Sequence, residues 1–413
     1  MRVLLLNTYH YPRGGAETHV FALAELLRSE GHEVRFFGMQ HVKNEPSEDS
    51  RFWVSEIDFE QLNRHKTPRA AWQVVERTFY SRESRRQLDR MLESWMPDVA
   101  HIHNIHGHIS PSVLDSLAAY RVPVVWTLHD YRLLCPDTHF LSRGRICEEC
   151  RGHRYSRCVV NRCKKGSLSA SMIAALEATV HRFLRIQSKV AVFVAPSQFL
   201  RSKFIEFGYP AEKIKFIRNF LTEQLEPLPV NPSGPAAYVG QLASWKGVDT
   251  AIAAVASLSG RTLTIVGGGP DCERLESVVE RLGVADRVRF VGTLDRPGVV
   301  DELESCAFVV VPSVWYENCP YSVMEAQAAG RAVVASDIGG LPELVVDGQN
   351  GLIVAPGDAE GLAEAMRSLW EDEPLLERLS TAATSTSAEY AQGLYCRSMI
   401  DVYESLLGHT TAG

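Results

Sequence analysis

Short apolar runs and helical periodicities alternate along the chain in two blocks. Residues 2–7, RVLLLN, form a brief apolar run; a glycine pair, Gly14 and Gly15, then precedes a helical pattern from Glu17 to Ser29. Gly31 ends that pattern and EVRFFG follows as a second run. Residues 69–96 read as helix up to Pro97. DVAHIH (98–103), PVVWTL (123–128) and VAVFVAP (190–196) are continuous and β-branched, as strands buried on both faces are. A long helix is predicted over residues 168–187, and Ser197 is placed to cap the helix after VAVFVAP.

Residues 222–235, TEQLEPLPVNPSGP, hold four prolines and a glycine and break every periodicity, which marks a linker. The second block starts at AAYVG (236–240). A helix follows Lys246, then TLTIVGGGP, a helix to Leu282, RVRFVG, a short helix and FVVVPS. A helix over Ser322–Ala329, the strands AVVAS and LIV, and terminal helices broken near Pro374 and Gly393 complete it. Strand–helix alternation in two blocks predicts an α/β protein of two Rossmann-like, doubly wound parallel sheets. The predicted domains are residues 1–220 and 221–393.

The length of 413 residues suits two cores. With 45% apolar and 23% charged residues, collagen-like, mucin-like and wholly disordered chains are excluded. The start MRVLLLNTYHYP lacks the apolar core of a signal peptide, and no apolar run approaches a membrane span, so a cytoplasmic setting is expected. The net charge of −7 conceals an asymmetry: residues 1–220 carry 32 Lys and Arg against 23 Asp and Glu, leaving the rest strongly acidic. A basic half can face anionic lipid, nucleic acid or a phosphorylated substrate.

In doubly wound sheets ligands sit beyond the C-terminal strand ends. The run WYENCPYSVMEAQAAG lies there, with Glu317 on the loop after FVVVPS and Glu325 in the first turns of the next helix. The amides near Tyr321, Ser322 and Val323 head that helix, where a diphosphate is attracted, and a carboxylate beside it can bind a ribose diol. Lys246 opens a helix after the first strand of this half and can reach phosphates as a point charge. IVGGGP fails the dinucleotide fingerprint because the last glycine position is Cys272; its glycines suit a tight turn or close approach to a ligand. In the first half, Gly14 and Gly15 allow backbone to approach a phosphate, and TLHD puts His129 at the same sheet edge.

Together, Lys246, GGGP, and Glu317 with Glu325 and Ala326 resemble the nucleotide-sugar domain of glycosyltransferase family 4; GGAETHV and TLHD extend the likeness over nearly the whole chain. The resemblance implies a retaining enzyme of GT-B fold, with a nucleotide-sugar donor on the C-terminal domain and a glycan or lipid-linked acceptor on the N-terminal one. It implies that Glu325 binds the ribose, Glu317 the donor sugar, Lys246 the diphosphate, and His129 the sugar from across the cleft. It implies UDP- or GDP-sugars as donors, no catalytic cofactor, and a last helix within 394–413 crossing back to the first domain. Cell-surface polysaccharide or glycolipid synthesis is the setting it points to. The chain departs from the family in having Asn318-Cys319-Pro320 where Gly-Phe-Gly is common, and Gln241 where an arginine is usual; Arg218, just before the linker, is the expected stand-in. A sugar-nucleotide epimerase, a phosphorylase of the same fold and a non-catalytic basic module are the rival readings.

Cys135, Cys147, Cys150, Cys158 and Cys163 crowd into a basic insertion at 135–166. Cys147-x-x-Cys150 supplies two thiolates, and Cys158 with Cys163 can complete a structural zinc site; free thiols, and an iron–sulfur cluster, fit the same spacing. Arg143, Arg145, Arg151, Arg154, Arg157, Arg162, Lys164 and Lys165 suit a membrane surface or a diphosphate-bearing lipid acceptor more than nucleic acid, for which no aromatic interleaving is present. His101, His103, His106 and His108 alternate along a strand end, which favours cleft lining or packing over a metal site.

Overall fold

The computed structural model, which describes residues 1–57 and 75–408, contains two six-stranded parallel sheets. The first block supplies β1 (Arg2–Leu6), β2 (Glu33–Phe37), β3 (Val99–Ile102), β4 (Val124–Thr127), an antiparallel ribbon of β5 (Leu141–Ser142) and β6 (Arg145–Ile146), β7 (Val192–Ala195) and β8 (Ile214–Phe216). The first sheet runs β2-β1-β3-β4-β7-β8. The second block supplies β9 (Ala236–Val239), β10 (Leu263–Val266), β11 (Val288–Gly292), β12 (Phe308–Val311), β13 (Val333–Ser336) and β14 (Gly351–Val354), in the order β11-β10-β9-β12-β13-β14. Strand order reverses between β1 and β3 in one sheet and between β9 and β12 in the other, and a crevice opens at such a point.

The apolar strand runs arise because both faces of each sheet are covered. Leu4, Leu6, Ile102 and Trp126 enter one core, and their neighbours Val3, Leu5, Val99 and Val125 enter the opposite one. The second sheet repeats this, with Tyr238 and Val310 on one side and Ala237 and Val309 on the other. Each fully buried side chain of this size stabilises the fold by roughly 1.5–3 kcal/mol.

The terminal helix Gln392–Gly408 packs on the first sheet: Tyr395, Met399, Val402 and Tyr403 share a core with Val3, Leu5 and Leu23. Residues 409–413 of the predicted crossing segment lie outside the described residues. So does part of the helix predicted over 69–96; residues 75–79 and Arg82–Ser94 are helical, with Ser81 capping the second piece. The helix predicted over 168–187 ends at Phe183, because Arg185 adopts a left-handed backbone (φ 50°). Ser197 caps helix Gln198–Glu206 as expected, accepting from the Leu200 amide at 3.1 Å. No described helix is long and apolar enough to cross a membrane.

Candidate active site

The two loops at the crossover of the second sheet carry the first pair of predicted residues. Lys246 follows β9, Glu317 follows β12, and Lys246 Nζ lies 2.7 Å from Glu317 Oε1. Ser313 Oγ donates to the same oxygen at 2.6 Å, and Lys246 Nζ sits 5.2 Å from the centre of the Trp315 ring. Glu317 is 4% exposed, so this ion pair is shielded from bulk water on the carboxylate side.

Backbone contacts hold both loops. A Cβ on Gly267 or Gly269 would overlap the carbonyls of Gly240 or Leu242, so the GGGP run lies directly on the Lys246 loop, and the Leu242 amide donates to Gly268 O at 3.0 Å. That close approach is to protein backbone. Behind Glu317 lies a second glycine pair that sequence reasoning passed over. The Gly340 amide donates to Glu317 O at 2.7 Å, and Gly339 (φ 65°) leaves no room for a Cβ against the Glu317 backbone.

Helix Tyr321–Ala328 starts behind Pro320. The Val323 amide is taken by the Pro320 carbonyl at 3.2 Å, so Tyr321 and Ser322 contribute the donors facing outward from this helix start. Glu325 lies one turn in, where Arg296 Nη1 donates to its Oε1 at 2.6 Å. Burial pushes the Glu325 carboxyl up and Arg296 pulls it back. The sequence does not mark Arg296 as a site residue; the Asp295 cap and proline at the start of helix Arg296–Ser305 fix its position without indicating its partner. Gln241 is exposed, and its carbonyl accepts from the Tyr238 hydroxyl at 2.8 Å. Arg218 donates to Glu343 O at 3.0 Å and lies 3.7 Å from Glu389, so its side chain is committed there and not to the Lys246–Glu317 pair.

The first domain presents its own helix start to the same place. Gly14 caps helix Gly15–Ser29, and a Cβ on Gly15 would stand 3.1 Å from the Tyr321 ring. His19 shares hydrogen bonds at 2.9 Å with Tyr321 through Nδ1 and with Tyr395 through Nε2, joining both domains and the terminal helix. His129 Nε2 lies 2.9 Å from His103 Nδ1, and the His129 ring centre is 5.2 Å from that of His19. His101 is held at 2.7 Å by both Thr127 and Tyr403. Burial lowers His129 to about 4. Burial lowers His101 and His103 likewise, so these two pack as neutral rings, while His129 stays partly exposed.

The ligand atoms of His106, Glu177 and His181 lie within 4.8 Å of one another. Arg132 already binds both Glu177 oxygens, at 2.9 and 2.8 Å, so a guanidinium supplies the positive charge in that cluster.

Buried histidines have a consequence for acid stability. Burial, then the charge of His129, lowers His101 from 6.5 to about 3; burial, then Arg28, lowers His10 from 6.5 to about 4. Between these values the unfolded chain binds protons that the folded chain refuses. Their contribution is complete above the unfolded value and is lost as pH falls toward the folded ones. Each should cost up to about 1.4 kcal/mol per pH unit in that window. Urea denaturation at a series of pH values checks this, and a flat profile below neutrality would refute it.

The cysteine insertion reaches the cleft. The His139 ring centre lies 4.8 Å from Trp245 and 5.7 Å from Trp315, the neighbours of Lys246 and Glu317, and Tyr316 donates to Glu148 at 2.8 Å. Cys158 hydrogen-bonds Cys163, which brings Cys163 down to about 7. Burial, with Cys135, Cys163 and Cys147 nearby, pushes the Cys150 thiol up to about 12. No disulfide joins them, and the four predicted ligands, Cys147, Cys150, Cys158 and Cys163, do not form a set within 4.8 Å.

Asn318, where a glycine is usual in the resembled family, ties the domains together. Ser197 Oγ donates to its Oδ1 at 2.7 Å and its Nδ2 donates to Leu128 O at 3.2 Å. Beside it, Glu343 accepts from the amides of Gln198 and Phe199 at 2.7 and 2.6 Å.

Sequence comparison matches residues 13–224 to Glycosyltransferase Family 4 and residues 232–386 to Glycosyl transferases group 1. Glycogen synthase of Mycobacterium tuberculosis is 30% identical over 93% of this chain and 89% of its own. Among solved structures, sucrose-phosphate synthase of Thermosynechococcus elongatus superposes with a TM-score of 0.70 at 20% identity, covering 99% of both chains. Anabaena HepE in complex with UDP-glucose superposes at 0.66 and 19% identity, over 98% of this chain and 100% of that one.

Proposed function

Since this chain belongs to glycosyltransferase family 4 and has the GT-B fold, we propose that it is a retaining transferase moving a hexose from a UDP- or GDP-sugar to a glycan or lipid-linked acceptor. The observation that carries the reading is the Lys246–Glu317 pair, formed by the two loops that flank the crossover of the second sheet. HepE, a structural neighbour, is solved with UDP-glucose, which supports UDP as the first donor to try.

In this reading Lys246 and the amides of Tyr321 and Ser322 receive the departing diphosphate. They are fixed before reaction, so they stabilise developing charge without reorganising. Helix Gly15–Ser29 aims a second N-terminus at the same point, which gives Gly14 and Gly15 their phosphate role. Glu325 binds the ribose diol and shares Arg296 with it. Glu317, oriented by Lys246 and Ser313, accepts a sugar hydroxyl. His129 contacts the sugar from the other jaw. The acceptor hydroxyl attacks the anomeric carbon on the face the diphosphate leaves, and its proton passes to the leaving phosphate oxygen.

Glu325→Ala should lower donor affinity by about tenfold or more and cut transfer and donor hydrolysis together, because a charge-assisted hydrogen bond is worth roughly 1.5–3 kcal/mol. Calorimetric titration with UDP-glucose, UDP-galactose and GDP-mannose measures the first effect and product NMR the second. Product NMR also reads the anomeric configuration. Unchanged turnover by the variant would count against the site, and conversion of donor without acceptor would favour the epimerase.

For the insertion we propose a structural zinc drawn from Cys147, Cys150, Cys158 and Cys163, with Cys135 as alternate. The hydrogen bond between Cys158 and Cys163, and the nearness of Cys135, Cys147 and Cys163 to Cys150, support this. The metal would supply charge to thiolates that burial otherwise disfavours. About one zinc per purified chain is expected, and none at all would leave the thiols free.

A further inference from the structure

Helix Leu168–Phe183 is built inside out. Its buried side carries Ser171, Ala174, Ala175, Glu177 and His181. Its outward side carries Leu168, Met172, Ile173, Leu176 and Phe183, exposed by 48, 54, 47, 54 and 86%. At 100° per residue these five fall within one arc of about 140°. Val160, 66% exposed, extends the patch from the short helix Ser156–Val160 that packs alongside. Scattered exposed apolar residues are ordinary, but a contiguous apolar face is not.

The rim of this face is cationic. Arg154, Arg157, Arg162, Lys165, Arg182 and Arg185 are exposed, and none joins an ion pair among the described residues. From residue 150 to 205 the only acid is Glu177, buried against Arg132.

We propose that this face is an interfacial docking surface for an anionic lipid bilayer, with helix Leu168–Phe183 lying in the headgroup plane. An apolar stripe between unpaired cations is complementary to acyl chains beneath negative headgroups. Nucleic acid would satisfy the cations but offers no hydrocarbon to the stripe. A second copy in two-fold contact would bring like-charged rims together. The surface is separate from the donor site and does not depend on the donor chemistry.

Sedimentation of the full chain with phosphatidylglycerol-containing or pure phosphatidylcholine vesicles tests this, at low and high salt. Binding is expected to the anionic vesicles and to weaken in salt. Leu176→Glu and Phe183→Glu should each reduce it about tenfold or more, since burying one such side chain exceeds the 1.4 kcal/mol of a tenfold change. Both positions are exposed, so thermal unfolding and the UDP-glucose titration should stay as in the parent. Glu325→Ala should keep vesicle binding whatever it does to donor binding, which separates the two readings. Failure of the parent to bind anionic vesicles, or undiminished binding by Leu176→Glu, would overturn the proposal. A solution dimer that Leu176→Glu turns into monomer would also overturn it, in favour of a second copy.

Discussion

Lys246→Met should lower kcat by about a hundred- to a thousandfold, the usual effect of deleting a fixed group that stabilises transition-state charge. The substitution keeps an aliphatic stem of similar length and removes the ammonium, which stands 5.2 Å from the centre of the Trp315 ring. It also strands Glu317, whose side chain is 5% exposed and whose Oε1 then keeps, among the described residues, the Ser313 hydroxyl. Leaving a buried carboxylate without its cation costs roughly 3 kcal/mol, so lost activity alone would be ambiguous. The double variant Lys246→Met with Glu317→Gln, read against Glu317→Gln alone, separates the two effects. It removes the stranded charge, so thermal stability should return toward the parent while kcat stays low. A double variant as active as the parent would exclude Lys246 from charge stabilisation.

Gly340→Ala should damage both stability and the site, through crowding alone. Its backbone is ordinary (φ −87°, ψ 2°), so alanine pays no conformational penalty there. The added Cβ would, however, collide with the Asn318 carbonyl and come 3.1 Å from Ser197 Cβ in the other domain. The Gly340 amide is bonded to Glu317 O, so the loop cannot retreat without breaking that bond. Overpacking of this kind costs about 1–3 kcal/mol. Melting should fall by several degrees and donor affinity should fall with it. Gly348→Ala is the control: it has positive φ (67°) but nothing within 4 Å, so it should cost about 1–2 kcal/mol of stability and leave donor affinity intact.

How far the sequence foretells this molecule depends on range. Strands covered on both faces announce themselves as unbroken apolar runs, and Lys246, Glu317 and Glu325 stand out because they follow such runs at a sheet edge. Partners distant in the chain leave no such trace. His19 meets Tyr321 and Tyr395 across 302 and 376 residues, and Arg296 meets Glu325 only through the fold. The three-residue strand β8 is too short to show a period. Periodicity detects helix Leu168–Phe183 but cannot tell which face turns inward, and the apolar one turns out. The halt at Arg185 has neither glycine nor proline to announce it.

Glu343 belongs to the C-terminal domain, yet it completes the first turn of helix Gln198–Glu206 in the N-terminal one. Any hinge motion wide enough to admit a substrate must strip that carboxylate from the Gln198 and Phe199 amides and hand them to water. Deuterium uptake at these two positions would then register the jaw angle directly, and sugar nucleotide that holds the jaws shut would slow it.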